Sequence, residues 1–579
     1  MRIVKLSVQN FRGINELEWA LERQSLCCLI GPGDSGKSTV LDAIEAALSS
    51  RWYTFGEADF RECDTSRSIK VEVTIAELSR SLLSDEKFGL YIRGLAPDGT
   101  VRDEPEDGDE PVLTVRLAVD ATMEPVWEVV NDRTPYPRTM SNRDRALFRL
   151  VRLTGDDARH LTWGQGSILS KLTESGDEAA QHLAEAYRVA KASTRLHEIE
   201  SLVKVAKEAQ ARAIEVGAIV EDEYIPGLEL LKGGFSSGSI ALHDGAVPLR
   251  LAGTGTRRLA TLAIQRAAID EGAIILVDEI EQGLEPHRIL GAIVHLRRSQ
   301  AVASAALKPT GQIVMTTHSD VALSEIPPDA LYVCRRAPGN ALKILHPTDQ
   351  DALRRVLKHM PRALFARRLL VCEGETELGL ILGLRELFPA RHGGASIEQK
   401  GAAVVDGEGG NAPQMAAALA ALGYTTALYR DSDVPVPTKQ QKKMDKVGVH
   451  TITYFADIAI EEALFACVAD DLLVDKLLIE AERYKGEATV IDQLNKAFPE
   501  AGPSGIGNGS FVDMDFELEL GLEREAVMQR LAGLAKQYAW FKNQYIARGL
   551  AFVVDEAITQ SPKSELALAL REIEAWLYA

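Results

Sequence analysis

The sequence predicts an α/β fold, because two regions alternate short apolar runs with helical periodicity. In the first region, the apolar stretch "SLCCLIG" is followed by "PGDSGKST" and by a helical pattern at 37–50. In the second region, an apolar run at 369–371 ends at Glu373 and Gly374, and a helical pattern follows. Short buried strands that each lead into a helix are typical of sheets covered by helices.

Composition sets the broad class of protein. The chain has 579 residues, of which 46% are apolar, so three or four domains or subdomains are expected at roughly 100–200 residues each. There are 65 basic and 84 acidic residues, which give a net charge of −19. This charge is not typical of a basic nucleic-acid binder, although a local basic groove is sufficient for DNA binding.

Cysteine usage and hydropathy indicate a cytoplasmic protein. The six cysteines show no metal-ligand spacing, and Cys27, Cys28 and Cys372 lie within apolar runs, which suits a reducing compartment. The N-terminal stretch "MRIVKLSVQNF" alternates like a strand and does not resemble a signal peptide. No apolar run approaches ~18 residues, so we expect no transmembrane helix and no membrane partner.

A phosphate-binding loop is predicted between the first strand and its helix. The pattern Gly31-x4-Gly36-Lys37-Ser38 offers backbone N–H groups to a phosphate, with Lys37 reaching the β- and γ-phosphates and Ser38 holding Mg²⁺. Gly33 and Thr39 complete the nucleotide-binding motif "GPGDSGKST". We therefore expect ATP with Mg²⁺ at this loop.

A second strand, "AIILV", ends at Asp278 and Glu279, 241 residues after Lys37. A strand that delivers Asp278 to Mg²⁺ and Glu279 to the attacking water is the Walker B arrangement. Upstream, Gly253, Thr254 and Gly255 form a glycine-rich turn that opens a helix, where backbone donors can meet an anion. The alternative, a strand that ends in a solvated acid pair, is disfavoured by the preceding phosphate loop.

The order of these motifs, with the strand "GQIVMTTHSD" after them, resembles the ABC-type ATPase head of the chromosome-maintenance and RecF-like recombination families. The resemblance implies that Gly253, Thr254 and Gly255 act as the signature motif, which binds the γ-phosphate of ATP in the opposite subunit. Thr254 or Thr256 would supply its hydroxyl. The resemblance also implies further nucleotide-site roles for His318 as the switch histidine, Arg12 of "NFRGI" near the nucleotide, and Gln165 as a weak Q-loop candidate.

In the second region, acidic residues follow two neighbouring strand patterns. Glu373 ends the first, and "TTALYRDSD" runs from a strand into Asp431 and Asp433. Side chains two apart on a strand point the same way, and the carboxyl ends of parallel strands meet at one edge of a sheet. Three close carboxylates repel one another, so Mg²⁺ or Mn²⁺ is the natural compensation. Considered alone, Glu373 and Glu377 are most simply explained as capping acids at a helix start.

The pattern Glu-Gly followed by Asp-x-Asp resembles the Toprim domain of topoisomerases, primases and related nucleases. An ABC-type head followed in one chain by a Toprim domain resembles the overcoming-lysogenization-defect (OLD) family, which includes the nuclease subunit of the Gabija anti-phage system. The resemblance is carried by "GPGDSGKST", "GTGTRR", "LVDEIEQGLEP", "TTHSD", "EGETE" and "RDSD".

The family resemblance implies two metal ions and a basic residue in the Toprim site. Matching motifs give Glu373 a role as both catalytic residue and metal ligand, with Glu377, Asp431 and Asp433 as the other core ligands. A later acid would complete the second metal site; Glu461 is preferred over three alternatives, Glu462, Asp513 and Asp515. Lys542 is the choice for the cation that stabilises the transition state. Asp406 lies either near the site or in a simple turn.

These resemblances together predict the domain organisation. An ATPase head formed by 1–145 and 233–346 is interrupted by a helical insert at 146–232, which we expect to be a compact dimer contact. A linker at 347–368 leads to a Toprim domain at 369–579, which contains a helix-rich stretch at about 460–535.

The function implied by the resemblance is an ATP-binding and ATP-hydrolysing DNA endonuclease that nicks or cleaves by two-metal phosphodiester hydrolysis. Mg²⁺ or Mn²⁺ would serve the Toprim site, with Ca²⁺ as a non-catalytic substitute. Expected partners are double-stranded DNA, further copies of the chain joined through the ATPase part, and a helicase-like protein, in anti-phage defence or DNA repair.

Two other functions stay open at this point: a DNA-clamping or remodelling ATPase without nuclease activity, and an effector that cleaves RNA or tRNA. The DNA-contacting residues are also open. Candidate basic groups are Arg257 and Arg258, Arg367 and Arg368, and the lysines of "KQQKKMDK" at 439–446. Such charge runs are usually solvated faces.

Overall fold

The computed structural model describes residues 1–162 and 241–579, apart from residues 52, 85–86, 155–156, 245–246, 271, 307–309, 338–340, 507–509 and 513. Between 163 and 240 it describes only scattered positions, so Gln165 and most of the predicted helical insert lie outside the described residues. The chain forms two compact units. The first contains Met1–Cys27 and Ser38–Thr317, and the second contains Cys28–Lys37 and His318–Ala579.

The first unit contains a large, mainly antiparallel sheet. Its first strand, Arg2–Phe11, alternates buried and exposed residues and pairs with Ile14–Ala20 on one side and Ile69–Ala76 on the other. This alternation is what a sheet with one covered face requires. The remaining strands of this sheet are Arg93–Leu95, Val101–Arg102, Glu110–Val119, Pro125–Val130 and Arg138–Thr139.

Three parallel strands in the same unit carry the Walker B residues. Ile274–Val277 is central, with Val151–Leu153 and Gln312–Thr316 beside it. All four residues of Ile274–Val277 are buried, which explains its unbroken apolar sequence. A short hairpin pairs His243–Asp244 with Val247–Pro248. The α-helices that begin or lie in this part of the chain are Lys37–Leu48, Asn142–Ala146, Thr254–Asp270 and Pro286–Ala305.

The second unit contains the phosphate-loop strand and its neighbours. Leu26–Ile30 crosses from the first unit into the second, and Cys28–Ile30 pairs in parallel with Leu331–Arg336. Leu342–Leu345 then pairs antiparallel with Leu331–Arg336. Every residue of Leu26–Ile30 is buried, so Cys27 and Cys28 are core residues.

A four-stranded parallel sheet forms the centre of the C-terminal part of this unit. Arg368–Cys372 lies between Ala402–Asp406 and Thr425–Tyr429, and His450–Ile452 pairs with the outer side of Thr425–Tyr429. Cys372 is opposite both Asp406 and Tyr429. Because the three strands end at the same level, the residues that follow them meet at one edge.

Helices cover this sheet, and one pair approaches closely. Gly379 and Gly383 of the helix Glu375–Arg391 face the helix Gln544–Gln560, and a Cβ at either glycine would lie 2.5 Å from its backbone carbonyl oxygens. Any larger residue would push the helices apart and move the acids at the helix start. The other α-helices of this unit are Asp320–Ser324, Gln350–His359, Ala412–Ala421, Thr438–Val447, Ile460–Cys467, Asp471–Lys485, Glu487–Ala497, Arg524–Tyr538 and Glu565–Tyr578.

Within the described part of the chain, no helix is both long enough and apolar enough to cross a bilayer. All six cysteines are free thiols, and Cys63 is the exposed one. Between the two acidic motifs the chain forms the strand Ala402–Asp406 and then the helix Ala412–Ala421.

Candidate functional site

The phosphate loop has a backbone that only glycine accepts at its first position. Gly31 has φ +148°, and a Cβ there would lie 2.6 Å from the carbonyl oxygen of Cys334. Gly36 has φ +94°, also in the left-handed region. Gly33 is exposed and has open space beside it. The loop leads directly into the start of the helix Lys37–Leu48, where an anion is favoured.

Lys37 is folded into this loop. Its side chain is 4% exposed, and Nζ donates to the carbonyl oxygens of Gly31 at 3.1 Å and Pro32 at 2.9 Å and to Ser35 Oγ at 3.3 Å. Oxygen atoms of the loop therefore surround the ammonium group. In this motif the same ammonium group contacts the nucleotide phosphates.

Ser38 and Asp278, the predicted Mg²⁺ ligands of the ATPase site, are in direct contact. Ser38 Oγ donates to Asp278 Oδ1 at 3.1 Å, and Thr316 Oγ1 donates to the same oxygen at 2.7 Å. The other oxygen of Asp278 accepts from Arg152 Nη2 at 2.9 Å. Sequence reasoning missed Arg152, whose only local signal is a cation in the short buried strand Val151–Leu153.

Arg12 contacts one acid on the helix Lys37–Leu48 and two further side chains that follow this helix in the sequence. Its guanidinium contacts Asp42 at 2.6 Å, Asp59 at 2.8 Å and the Tyr53 hydroxyl at 3.0 Å. Asp42 also accepts from Arg152 at 3.0 Å. Burial raises the pKa of Asp42, and the two arginines oppose that rise. Arg12 is thus placed beside the helix that follows the phosphate loop.

Glu279 lies just beyond the Walker B strand in an unusual backbone conformation. Its φ is +45°, its N–H donates to Thr316 Oγ1 at 2.9 Å, and its side chain is exposed. Arg258 is 2% exposed and donates to the carbonyl oxygens of Asp278 and Glu279 at 2.9 and 3.1 Å. Arg258 is therefore buried against the end of the Walker B strand and is not available for DNA.

The predicted signature residues open the helix Thr254–Asp270, directly after Gly253. A side chain at Gly255 would lie 2.8 Å from the carbonyl oxygen of Gly283. The start of this helix thus packs on the loop that follows Glu279. His318 follows the strand Gln312–Thr316, and its ring stacks on Phe365 with centroids 6.1 Å apart.

In the second unit, the acids predicted from the two motifs meet at the carboxyl edge of the parallel sheet. The Glu373 N–H donates to the Tyr429 carbonyl at 2.9 Å, and Glu373 Oε2 accepts from the N–H of Asp431 at 3.0 Å. Arg430 Nε lies 3.5 Å from the same oxygen. Burial raises the pKa of Glu373, while Arg430 acts in the opposite direction.

Glu377 has two roles that the sequence left as alternatives. Its Oε2 accepts from the N–H of Gly374 at 3.0 Å, so it caps the helix Glu375–Arg391. The side chain is only 5% exposed. Burial, reinforced by the charges of Glu373 and Glu461, raises the pKa of Glu377 to about 7. A cap alone does not require another carboxylate nearby, so Glu377 also belongs to the acidic cluster.

Asp431 is the centre of that cluster. Burial raises its pKa to about 9, and the neighbouring charges that add to the rise are, in order, those of Glu377, Glu461, Glu373 and Asp433. Among the described residues, its Oδ1 is buried and has no hydrogen-bond partner. A buried carboxylate oxygen without a donor is costly unless a proton or a cation occupies its lone pairs.

Asp433 is paired with a lysine that the sequence did not reveal. Lys536 Nζ, from the helix Arg524–Tyr538, lies 2.9 Å from Asp433 Oδ2 and 3.8 Å from Glu462 Oε2. Lys542, the predicted catalytic cation, is exposed, and its charge lowers the pKa of both Glu373 and Glu461 against the effect of burial. Two lysines therefore face the acids from the same C-terminal part of the chain.

Glu461 is more deeply buried than Glu462 and Asp515, the two described alternatives for the later metal-binding acid. It is 7% exposed in the first turn of the helix Ile460–Cys467, and burial raises its pKa. Glu462 accepts from the Ala459 N–H at 2.7 Å as a helix cap, and Asp515 caps Leu518 in the same way at 3.0 Å. Asp513 lies outside the described residues. Ser432 bonds to Ile458, which ties the Asp-x-Asp loop to the segment before Glu461.

Of the two places that the sequence left open for Asp406, the structure shows the turn. Asp406 Oδ1 accepts from the N–H of Glu408 at 2.9 Å, which is turn chemistry at the end of its strand. Gly374 has φ −143° and ψ −170°, an extended conformation open to any residue. What constrains this position is the Glu377 carboxylate, 3.3 Å from a Cβ at Gly374.

We call the carboxyl edge of the parallel sheet, where the five acids meet, the acidic edge. Its side-chain chemistry fits a hard divalent cation. No group of three or more His, Cys, Asp or Glu side chains in the described residues is already arranged to hold a metal ion. The orphaned Asp431 oxygen, the mutual charge effects of five carboxylates and the oxygen-only donor set are nevertheless the features that such a cation would satisfy. The residues that would hold it are Glu373, Glu377, Asp431, Asp433 and Glu461.

Three family profiles match the chain. Residues 1–129 match "AAA ATPase domain", and residues 173–324 match "AAA domain, putative AbiEii toxin, Type IV TA system". Residues 364–433 match "Overcoming lysogenization defect protein-like, TOPRIM domain". Domains of these classes use ATP and divalent cations such as Mg²⁺. The predicted α/β fold, with an ATPase followed by a Toprim domain, is confirmed, whereas nothing in the matches is specific to the Gabija nuclease subunit.

Solved structures similar to part of the chain include three Smc head domains. The SmcHead bound to the C-winged helix domain of ScpA is 16% identical over 60% of this chain and 97% of its own, with a TM-score of 0.32. The Smc head domain with an extended coiled coil from Pyrococcus furiosus is 13% identical over 59% and 95%, with a TM-score of 0.31. The SMC head domain from Thermotoga maritima is 15% identical over 60% and 99%, with a TM-score of 0.28. No curated protein matches the chain significantly.

Proposed function

We propose that this chain, which has the ATPase–Toprim arrangement of the OLD family, is an ATP-binding, divalent-metal-dependent DNA endonuclease. The observation that carries the proposal is the buried, unpartnered Oδ1 of Asp431, surrounded by the charges of four other acids at the carboxyl edge of a parallel sheet. Acids kept this close, at a cost in free energy, are typical of a cation site.

A divalent cation at this edge would supply Lewis-acid activation of water and charge neutralisation at the scissile phosphate. Glu373, Asp431 and Asp433 would hold it from two adjacent strand ends, and Glu377 and Glu461 would contribute from the starts of two helices. Lys536 or Lys542 would place a positive charge near the developing oxyanion, which low-dielectric surroundings make effective.

The ATPase part would bind ATP at the phosphate loop, with Ser38 and Asp278 as Mg²⁺ ligands and Glu279 orienting water. The direct contact between Ser38 and Asp278 supports that assignment. Gly253, Thr254 and Gly255 would act on ATP bound by another copy of the chain, so we propose a homodimer or higher oligomer formed through the ATPase part.

Double-stranded DNA is the proposed substrate, with anti-phage defence or DNA repair as the setting and a helicase-like protein as a further partner. These proposals rest on the family resemblance. A cytoplasmic location is proposed from the six free thiols, five of them buried.

Incubation of supercoiled plasmid with Mg²⁺, Mn²⁺ or Ca²⁺, with and without ATP, tests the proposal. Wild type should nick or linearise the plasmid in Mg²⁺ or Mn²⁺, and Glu373→Ala and Asp431→Ala should not. Glu375→Gln is the matched control, because it changes an exposed acid two residues after Glu373. Uncut plasmid with ATP turnover and DNA binding would instead indicate a clamping ATPase, and cleavage of tRNA alone would indicate an RNA effector.

A further inference from the structure

Four lysines form a stripe along the helix Thr438–Val447, five residues after the Asp-x-Asp motif. Lys439, Lys442, Lys443 and Lys446 are all exposed. Their spacing of three, four and seven residues places them on one face of the helix. We call these four residues the lysine stripe.

The other face of this helix is attached to the protein. Met444 is fully buried, and Gln440 and Val447 are half-buried on the same side. The helix ends at Gly448 in a left-handed conformation, with φ +77°. The lysine stripe is therefore presented on a fixed element with its own packing, and the lysines do not serve to cover the core.

The lysine stripe lacks compensating charge. None of its four members forms an ion pair among the described residues, and the only acid of the helix, Asp445, accepts a hydrogen bond from Gln441 at 2.8 Å. Like charges three and four residues apart on a helix destabilise it. A binding partner with regularly spaced negative charges would remove that repulsion.

The position of the stripe links it to the acidic edge. Only four residues, 434–437, separate Asp433 from the helix, and two of them are proline. Lys439 is six residues from Asp433, so their Cα atoms are at most about 21 Å apart. Val434 is 61% exposed in this short connection.

We propose that the lysine stripe binds the phosphate backbone of duplex DNA and holds it for cleavage at the acidic edge. The proposal rests on the function proposed above and assigns it a substrate-positioning surface. From Lys439 to Lys446 the helix rises about 10 Å, which matches roughly three phosphates of one strand. Lysine contacts to phosphates set position without reading sequence.

A local positive surface is needed for DNA binding because the chain as a whole is negatively charged and repels DNA. The net charge is −19, so long-range forces repel a polyanion. Four unpaired lysines beside five acids would bind the backbone while the acids are neutralised by cations. At short range, binding would then depend strongly on salt through counterion release.

Binding of a labelled 30-base-pair duplex to the full chain, measured by anisotropy in Ca²⁺ from 50 to 200 mM salt, tests this surface. Lys442→Gln with Lys443→Gln should reduce the salt slope by about 1.8, so that the variant loses about 12-fold less affinity than wild type over this range. The variant with all four lysines changed to Gln should lose about 3.6 from the slope. Lys343→Gln with Lys400→Gln, an equal charge change at two exposed lysines elsewhere, should match wild type.

The two proposals fail in different ways. If wild type cuts plasmid in Mg²⁺ or Mn²⁺ and the stripe variants keep its affinity, slope and cleavage rate, the stripe proposal is wrong and the nuclease stands. If wild type binds duplex but never cuts it, and the variants lose slope, the surface stands and the nuclease proposal is wrong. Failure of wild type to bind duplex, or a preference for RNA that the stripe variants abolish, also overturns the stripe as a duplex surface.

Discussion

Metal binding at the acidic edge should release protons, and Asp431 should supply most of them at pH 8. The pKa of Asp431 is raised to about 9 by burial and neighbouring carboxylates, and that of Glu377 is raised to about 7. At pH 8 the metal-free protein should therefore hold about 0.9 proton on Asp431 and about 0.1 on Glu377, so binding should release about one proton per site. Asp431→Asn should reduce this release to about 0.1 at the same pH.

Calorimetric titration with Mn²⁺ in two buffers of different ionisation enthalpy measures the proton count. At pH 6 both proteins should release more protons than at pH 8, because Glu377 then contributes as well, and wild type should release about one proton more than Asp431→Asn. Glu375→Gln should behave like wild type at both pH values. An equal proton count in wild type and Asp431→Asn would refute the assignment of the buried carboxylate to the cation.

The pKa of Asp431 is about 9 in the folded state and 3.8 ordinarily, so between these two values the folded state binds more protons than the unfolded state. The free energy of unfolding of the metal-free protein should therefore fall as pH rises from about 4 to 9. Added Mn²⁺ should restore the lost stability. A denaturant titration series in EDTA that shows rising stability over this range would contradict that sign. Changing the lysine that acts as the transition-state cation to Met should lower the rate of plasmid cleavage by about 100–1,000-fold. Measuring Lys536→Met and Lys542→Met separately identifies that lysine, and wild-type rates for both variants would exclude both. Arg152→Gln should weaken ATP binding, because the Asp278 carboxylate loses its 2.9 Å donor; nucleotide affinity equal to wild type, measured by fluorescent-analogue displacement, would dismiss this role.

Local motifs were readable from the sequence because their physics is local. The positive φ of Gly31 and the folding of Lys37 into the loop involve residues a few positions apart. The acids that end the strands Arg368–Cys372 and Thr425–Tyr429 were readable because each directly follows its own strand, and parallel strands end at one edge of a sheet. The order of domains also followed from motif order.

Contacts between distant residues were not readable in this way. Lys536 meets Asp433 across 103 residues, and Arg152 meets Asp278 across 126. Nothing in "RLAGLAKQY" or "VRLTG" distinguishes these cations from ordinary surface residues. Arg430 beside Glu373 was within the "YRDSD" motif but could be recognised only once the two strands were paired. Glu461 was preferred over Glu462 before the structure was known, but the contact that distinguishes them, the Glu462 cap on the Ala459 N–H, is visible only in the structure.

Anomalous diffraction from crystals grown with Mn²⁺ tests the central claim most directly. A cation at the carboxyl edge should give a peak in contact with Asp431 Oδ1 and with Glu373, and Asp431→Asn should remove it. Absence of any peak at this edge in wild type, in crystals whose Ser38–Asp278 site contains Mn²⁺, would contradict the account.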